Sequence, residues 1–144
     1  MKTIYIIAIA ILFIVLLFFI YTYLTIPDFK PTVKQIEIYS ESFDEKIFIK
    51  QKNWGIIGDD QVIVITKSSD INFEPNINEE YTFKGLSPFF YDFRNDTLFL
   101  YVNNKSEIPK NMVSEIRIVQ IELTNPEMMN LMKNYRERGL KKIE

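Results

Sequence analysis

The chain has 144 residues, with 17 Lys+Arg against 19 Asp+Glu and a formal net charge of −2 at pH 7. It contains no Cys and no His, which excludes a Ser-His-Asp triad, a cysteine nucleophile, thiolate or imidazole metal sites and any disulfide framework. Lys2 is the only charged side chain before Asp28, so a short uncharged stretch precedes one mildly acidic remainder, large enough for a single core and too small for two domains.

Ile4 to Leu24 reads IYIIAIAILFIVLLFFIYTYL. About 20 apolar residues suffice to cross a hydrocarbon core of roughly 30 Å as a helix. In lipid a continuous helix pairs its own backbone groups, which overrides the poor helix propensity of the many Ile and Val residues. Tyr5 near one end, and Tyr21 and Tyr23 near the other, suit the headgroup level. Pro27 supplies a stop and biases Ile26 away from helical dihedrals. A cleaved secretory signal is the competing reading, but its apolar core runs about 7–15 residues and ends in small residues at the cut. Tyr21 to Ile26 offers no such pattern. The expected organisation is an anchor over 1–27 that spans the membrane at 4–26, a linker over 28–32 (DFKPT), and a β domain over 33–144.

Orientation is contested by two signals. Lys2 and the amine suit an N-terminus left inside, whereas Lys30, Lys34, Lys46, Lys50 and Lys52 lie on the far side of the span. Anchors at an extreme N-terminus more often export the domain they carry, so the expected location is the bacterial inner membrane with the domain outside.

Beyond the linker, short β-branched and aromatic runs alternate with turn chemistry. Val33 to Tyr39 shows one wet face, Lys46 to Gln51 carries Ile47-Phe48-Ile49, and Trp54 to Ile57 and Val62 to Thr66 flank a Gly58-Asp59-Asp60-Gln61 turn. Val62-Ile63-Val64-Ile65 has no polar face and belongs in the middle of a sheet covered on both sides. Tyr81 to Lys84 is a short strand; Phe89 to Arg94 and Thr97 to Val102 flank Asn95-Asp96, which tolerate the positive φ of a two-residue turn. In Ile116 to Leu123 the alternation breaks, implying a bulge near Val119 or burial on both faces. Asn125-Pro126-Glu127 reads as N-cap, first-turn proline and acidic first turn of a helix over 126–138, stopped by Gly139. Lys67 to Glu80 and Asn103 to Glu115 read as long loops. The expected fold is mainly β (α+β): an N-terminal transmembrane helix, then a small antiparallel β sandwich or half-open barrel of seven or eight strands with one C-terminal amphipathic helix.

Three groups of residues could carry function. Asp59, Asp60, Asp92 and Asp96 could do acid–base work if they converged in a cleft, although turn aspartates bonding local backbone are the commoner case. No D-x-D-x-D-G spacing suits calcium, and neither a metal nor a cofactor is expected. Phe89, Phe90, Tyr91, Phe93, Phe99 and Tyr101, with Trp54, are aromatic enough to line a core. Phe89-Phe90-Tyr91 is consecutive, however, so one ring faces away from its neighbours and, with Trp54, marks a candidate interaction patch. Lys133, Arg136, Arg138, Lys141 and Lys142 make the C-terminal end basic, suited to anionic headgroups or simply to the helix dipole. The rest of the domain is too acidic for a nucleic-acid partner.

The strings Trp54-Gly55-Ile56-Ile57-Gly58-Asp59-Asp60, Ser87-Pro88-Phe89-Phe90-Tyr91 and Asn95-Asp96-Thr97-Leu98 together resemble uncharacterised small single-pass membrane proteins of Bacteroidetes-type bacteria. The resemblance implies an anchored domain and no catalytic residue. The expected function is protein–protein interaction at the cell envelope by a membrane-anchored β domain, of which an inhibitor or immunity-type protein is one version. The alternatives are an inner-leaflet lipid-binding domain using the basic end, and a carboxylate-based hydrolase.

Overall fold

A computed structural model describes residues 2–25, 31–54, 61–85 and 88–143. The chain divides into two compact units, Met1–Lys30 and Pro31–Glu144. The first contains helix α1, Lys2–Thr25, whose 24 residues extend about 36 Å at the usual helical rise. It is long and apolar enough to cross a membrane. Two threonine hydroxyls near its end bond the helix's own backbone, Thr22 Oγ1 donating to the Phe19 carbonyl at 2.9 Å and Thr25 Oγ1 to that of Tyr21 at 2.7 Å. The expected stop at Ile26-Pro27 lies outside the described residues.

The second unit is a sandwich of two four-stranded sheets. The first takes β1 (Thr32–Ser40), β2 (Glu45–Asn53), β3 (Gln61–Thr66) and β4 (Tyr81–Lys84) in that order, every neighbour antiparallel. The second is ordered β7-β6-β5-β8, from β5 (Phe90–Arg94), β6 (Thr97–Val102), β7 (Arg117–Glu122) and β8 (Lys141–Lys142). Helix α2, Asn125–Asn134, lies between β7 and β8 in the chain. Ile38, Ile47, Ile49, Ile63 and Ile65 of the first sheet pack against Phe89, Tyr91, Leu98, Leu100, Val102, Ile116 and Ile143. Strand alternation leaves each sheet a second face. On the first sheet Val62 and Val64 are covered by Phe73 from loop 67–80; on the second, Phe90 is covered by Met128, Leu131 and Leu140. Val62 to Ile65 is therefore buried on both sides, as its unbroken apolar pattern requires.

The hairpin at Asn95-Asp96 forms with φ of 49° and 55°, the left-handed pair that a tight turn between twisted strands needs. Several expectations are corrected. β6 and β7 run parallel, not antiparallel, because the chain from Asn103 to Ile116 is long enough to cross back over the sheet. Of the two readings of the β7 pattern, burial on both faces holds and the bulge does not: the strand keeps an unbroken register with β6 and is partly buried at Ile118 to Ile121. The cap of α2 is Thr124, one residue earlier than expected, with the Glu127 carboxylate accepting both the Thr124 N–H at 2.8 Å and its hydroxyl at 2.7 Å.

The helix also ends early, at Asn134 instead of 138. Arg138 N–H reaches the Asn134 carbonyl, Leu140 N–H reaches that of Tyr135, and Gly139 takes φ +72°, which reverses the chain into β8. Of the expected strand at Trp54 to Ile57, Trp54 is outside any strand and the rest lies outside the described residues, as does the Gly58–Asp60 turn. Among the described residues the eighth strand is β8.

Candidate functional site

The consecutive aromatics do not form a surface patch. Phe89, Phe90 and Tyr91 are all buried. Phe89 and Tyr91 enter the core between the sheets, and Phe89 meets Phe83 edge-on at 5.1 Å. Phe90 points the other way, as the alternation requires, but α2 is laid over it and its ring sits 5.1 Å from that of Tyr135. Trp54 alone of the expected patch is exposed.

Trp54 belongs to a different constellation. Lys50 and Lys52 alternate along β2 on its outer face, beneath loop 67–80, and both are buried, Lys50 completely. The Lys50 ammonium donates to the Asp70 carbonyl and lies 5.4 Å from the centre of the Phe73 ring. Burial holds its pKa below the ordinary lysine value, only partly offset by Glu80 and Asp70. Lys52 donates to the Phe73 carbonyl at 2.9 Å and to Glu74 Oε1 at 2.8 Å, with the Trp54 ring 4.8 Å away. Two cations thus strap an acidic loop across the sheet. The pattern Phe48-x-Lys50-x-Lys52 places both lysines on one face, yet nothing local says that the face is covered.

The carboxylates are dispersed. Asp59 and Asp60 lie outside the described residues. Asp92 pairs with Arg94, Nε to Oδ2 at 3.3 Å. Asp96 accepts from the Ser40 hydroxyl at 2.6 Å, and the Ser40 and Ser42 hydroxyls hold its carboxyl below the usual range. Asp92 and Asp96 therefore serve separate partners. Among the described residues no group of three His, Cys, Asp or Glu is placed to hold a metal ion.

The basic end is not one helix face. Lys133 is on the last turn of α2, Arg136 and Arg138 are in the following turn, and Lys141 and Lys142 are on β8. Lys133, Arg136, Arg138 and Lys141 are exposed, whereas Lys142 is half-buried. Gly139 divides the group by ending the helical reversal.

The feature that sequence reasoning passes over lies in the two long loops. Loop 67–80 exposes Ile71 at 56% and Ile77 at 58%, and loop 103–116 exposes Ile108 at 77% and Val113 at 78%. The loops are stitched together, not splayed. Asn111 N–H reaches the Asn78 carbonyl at 2.9 Å, Lys67 Nζ reaches that of Val113 at 3.1 Å, and Ser106 Oγ accepts the Thr82 N–H at 2.9 Å. Glu45 completes the clamp by accepting the Glu115 N–H at 2.8 Å and pairing with Lys67 at 2.7 Å. Burial pushes the Glu45 carboxyl up, but Lys67 and the two amides outweigh it and hold its pKa below the usual value. A groove of about 350 Å³ runs between the loops, with Lys67, Glu79, Glu80 and Met112 on its walls. Asp70, Glu74 and Glu79 make the surroundings acidic. The signal is present in the sequence as isolated aliphatics inside polar segments, of which 67–80 is acidic.

No family model, curated protein or solved structure matches the chain.

Proposed function

We propose that this chain is a single-pass protein of the bacterial inner membrane, anchored by α1, that presents its β sandwich outside the cytoplasm to a protein partner. One observation carries the reading: four solvent-exposed aliphatic side chains, Ile71, Ile77, Ile108 and Val113, ride on two loops held in place by specific hydrogen bonds. Ordered loops with exposed aliphatics are a frequent form of interaction surface, since the backbone ordering cost is met before the partner arrives. The acidic side chains Asp70, Glu74 and Glu79 around Ile71 and Ile77 favour a partner whose apolar patch is ringed by Lys and Arg. An inhibitor of an envelope-targeted toxin would have this chemistry.

The absence of cysteine in the chain makes the test direct. A photo-crosslinking residue placed at Ile77 or Val113 in living cells is expected to give a discrete adduct, and one at Arg138 none. Adducts at neither loop position across growth conditions would overturn the reading. Ile77→Cys probed in intact cells with a membrane-impermeant maleimide reports orientation, with labelling expected before permeabilisation. Labelling only afterwards would put the domain in the cytoplasm. The exposed cations Lys133, Arg136, Arg138 and Lys141 would then be the surface to examine against anionic lipid.

A further inference from the structure

We propose that the cleft between β4 and the end of β6 is a second, separate site, which captures the C-terminal residue of an extended peptide: an aliphatic side chain together with its free carboxylate. The cleft holds about 90 Å³ between β4 and the end of β6, floored by Ile63, Phe83, Phe89 and Val102. That is smaller than the roughly 150 Å³ apolar cavity able to take a benzene molecule, and suits one aliphatic side chain. The rim carries Lys84 and Lys105, both exposed, and neither makes an ion pair or hydrogen bond among the described residues. Two exposed ammonium groups beside the apolar side chains of Ile63, Phe83, Phe89 and Val102 are complementary to a carboxylate attached to an apolar group.

The backbone adds a third element. β4 is the outer strand of its sheet. Gly85 N–H bonds the Gln61 carbonyl on the β3 side, whereas Thr82 N–H turns outward to Ser106 Oγ. With a period of two, Lys84 faces the same way as Thr82, so its N–H and carbonyl look away from β3 at the cleft. An extended peptide can pair with that edge while its final side chain enters the cleft and its carboxylate reaches the lysines. The site does not depend on the aliphatic loop tips being an interface.

The test uses the full-length protein in detergent micelles and fluorescence anisotropy with a labelled short Gly/Ser peptide ending in leucine. The free acid is expected to bind, with its amidated counterpart and a version ending in glycine each weaker by about tenfold or more, the order of one lost charge-assisted hydrogen bond or one unfilled apolar site. Lys84→Gln and Lys105→Gln are each expected to weaken the free acid several-fold and to leave the amide unchanged. Both positions are exposed, and unaltered Trp54 fluorescence would verify that the variants are folded. Equal binding of acid and amide, or no binding at about millimolar peptide, would overturn the proposal. So would an amidated peptide with an internal aspartate beside leucine that binds as well as the free acid, since the carboxylate would then come from a side chain.

Discussion

Lys50→Met tests what the buried cation under loop 67–80 contributes. Lys50 is 0% exposed, and the substitution removes its hydrogen bond to the Asp70 carbonyl and its approach to the Phe73 ring. A hydrogen bond from a charged donor is worth about 1.5–3 kcal/mol, and a desolvated cation–ring contact about 1–2 kcal/mol. Against these stands the desolvation of an ammonium group, which costs several kcal/mol and which methionine, of similar length and also unbranched, does not incur. Asp70 is exposed, so water can take over its carbonyl. Lys50→Met should therefore lie within about 1 kcal/mol of the parent or be more stable by up to about 2 kcal/mol. Lys50→Ala, which loses the same contacts and opens a cavity, should fall about 2–4 kcal/mol below the methionine variant.

Urea unfolding of the full-length protein in mild detergent, followed by the fluorescence of its one tryptophan, Trp54, gives the measurement. Linkage supplies a second readout. Burial lowers the Lys50 pKa from 10.5, so between its folded value and 10.5 the unfolded chain binds more protons and the parent gains stability as pH rises. Tyr81 and Tyr91, whose phenols burial pushes up from 10.0, act with the opposite sign, and the parent-minus-variant curve isolates Lys50. A methionine variant destabilised by more than about 3 kcal/mol would show that the ammonium is a net stabiliser and would refute the reasoning.

Glu45→Gln should cost about 1–2 kcal/mol at neutral pH, since a neutral amide holds Lys67 and the Glu115 and Ile116 amides less well. The lowered Glu45 pKa stabilises the parent above the unfolded value of 4.5, and that contribution disappears as pH falls through the folded value. Urea midpoints taken from pH 7 downward should thus fall less steeply for the variant than for the parent; equal slopes would count against the clamp. Phe90→Ala should cost about 3–5 kcal/mol and strip hydrogen-exchange protection from α2 before the strands of the first sheet, because Phe90 anchors the helix face. Thr124→Ala should cost about 1 kcal/mol and reduce helical circular dichroism by fraying the first turn of α2.

What is legible in the sequence is what is local. Tyr81–Lys84 and Thr97–Val102 form strands over the residues that their composition marks, and Asn95-Asp96 turns because those side chains tolerate φ near 50°. The unbroken apolar run Val62–Ile65 announces a strand covered on both faces. The misses are non-local. Nothing near Lys141-Lys142 says that β5 waits for them; the decisive residues are their apolar neighbours Leu140 and Ile143, which dip into different clusters on opposite faces of the sheet. Phe90 and Lys50 mislead for one common reason. Alternation says which way a side chain points, whereas its burial depends on whether α2 or loop 67–80, distant in sequence, happens to lie there. The loop surface escapes a reading of the sequence because lone aliphatics in polar segments are ordinary until hydrogen bonds hold them in place.

The contrast between the two sheets bears on the order in which the domain assembles as it is made. The first is a meander of successive neighbours from Thr32 to Lys84, so every pairing can form between segments already emerged and close in sequence. The second needs a parallel crossover and then takes Lys141–Lys142 against β5, a strand synthesised long before. Loop closure over such separations slows pairing. During that interval the β5–β6 hairpin can already close over the first sheet, but Phe90, on its other face, would stand uncovered until α2 and Leu140 arrive. A growing chain therefore passes through a half-built stage, and the pairing of β8, which seats Leu140 over Phe90 and Ile143 between the sheets, completes the second layer.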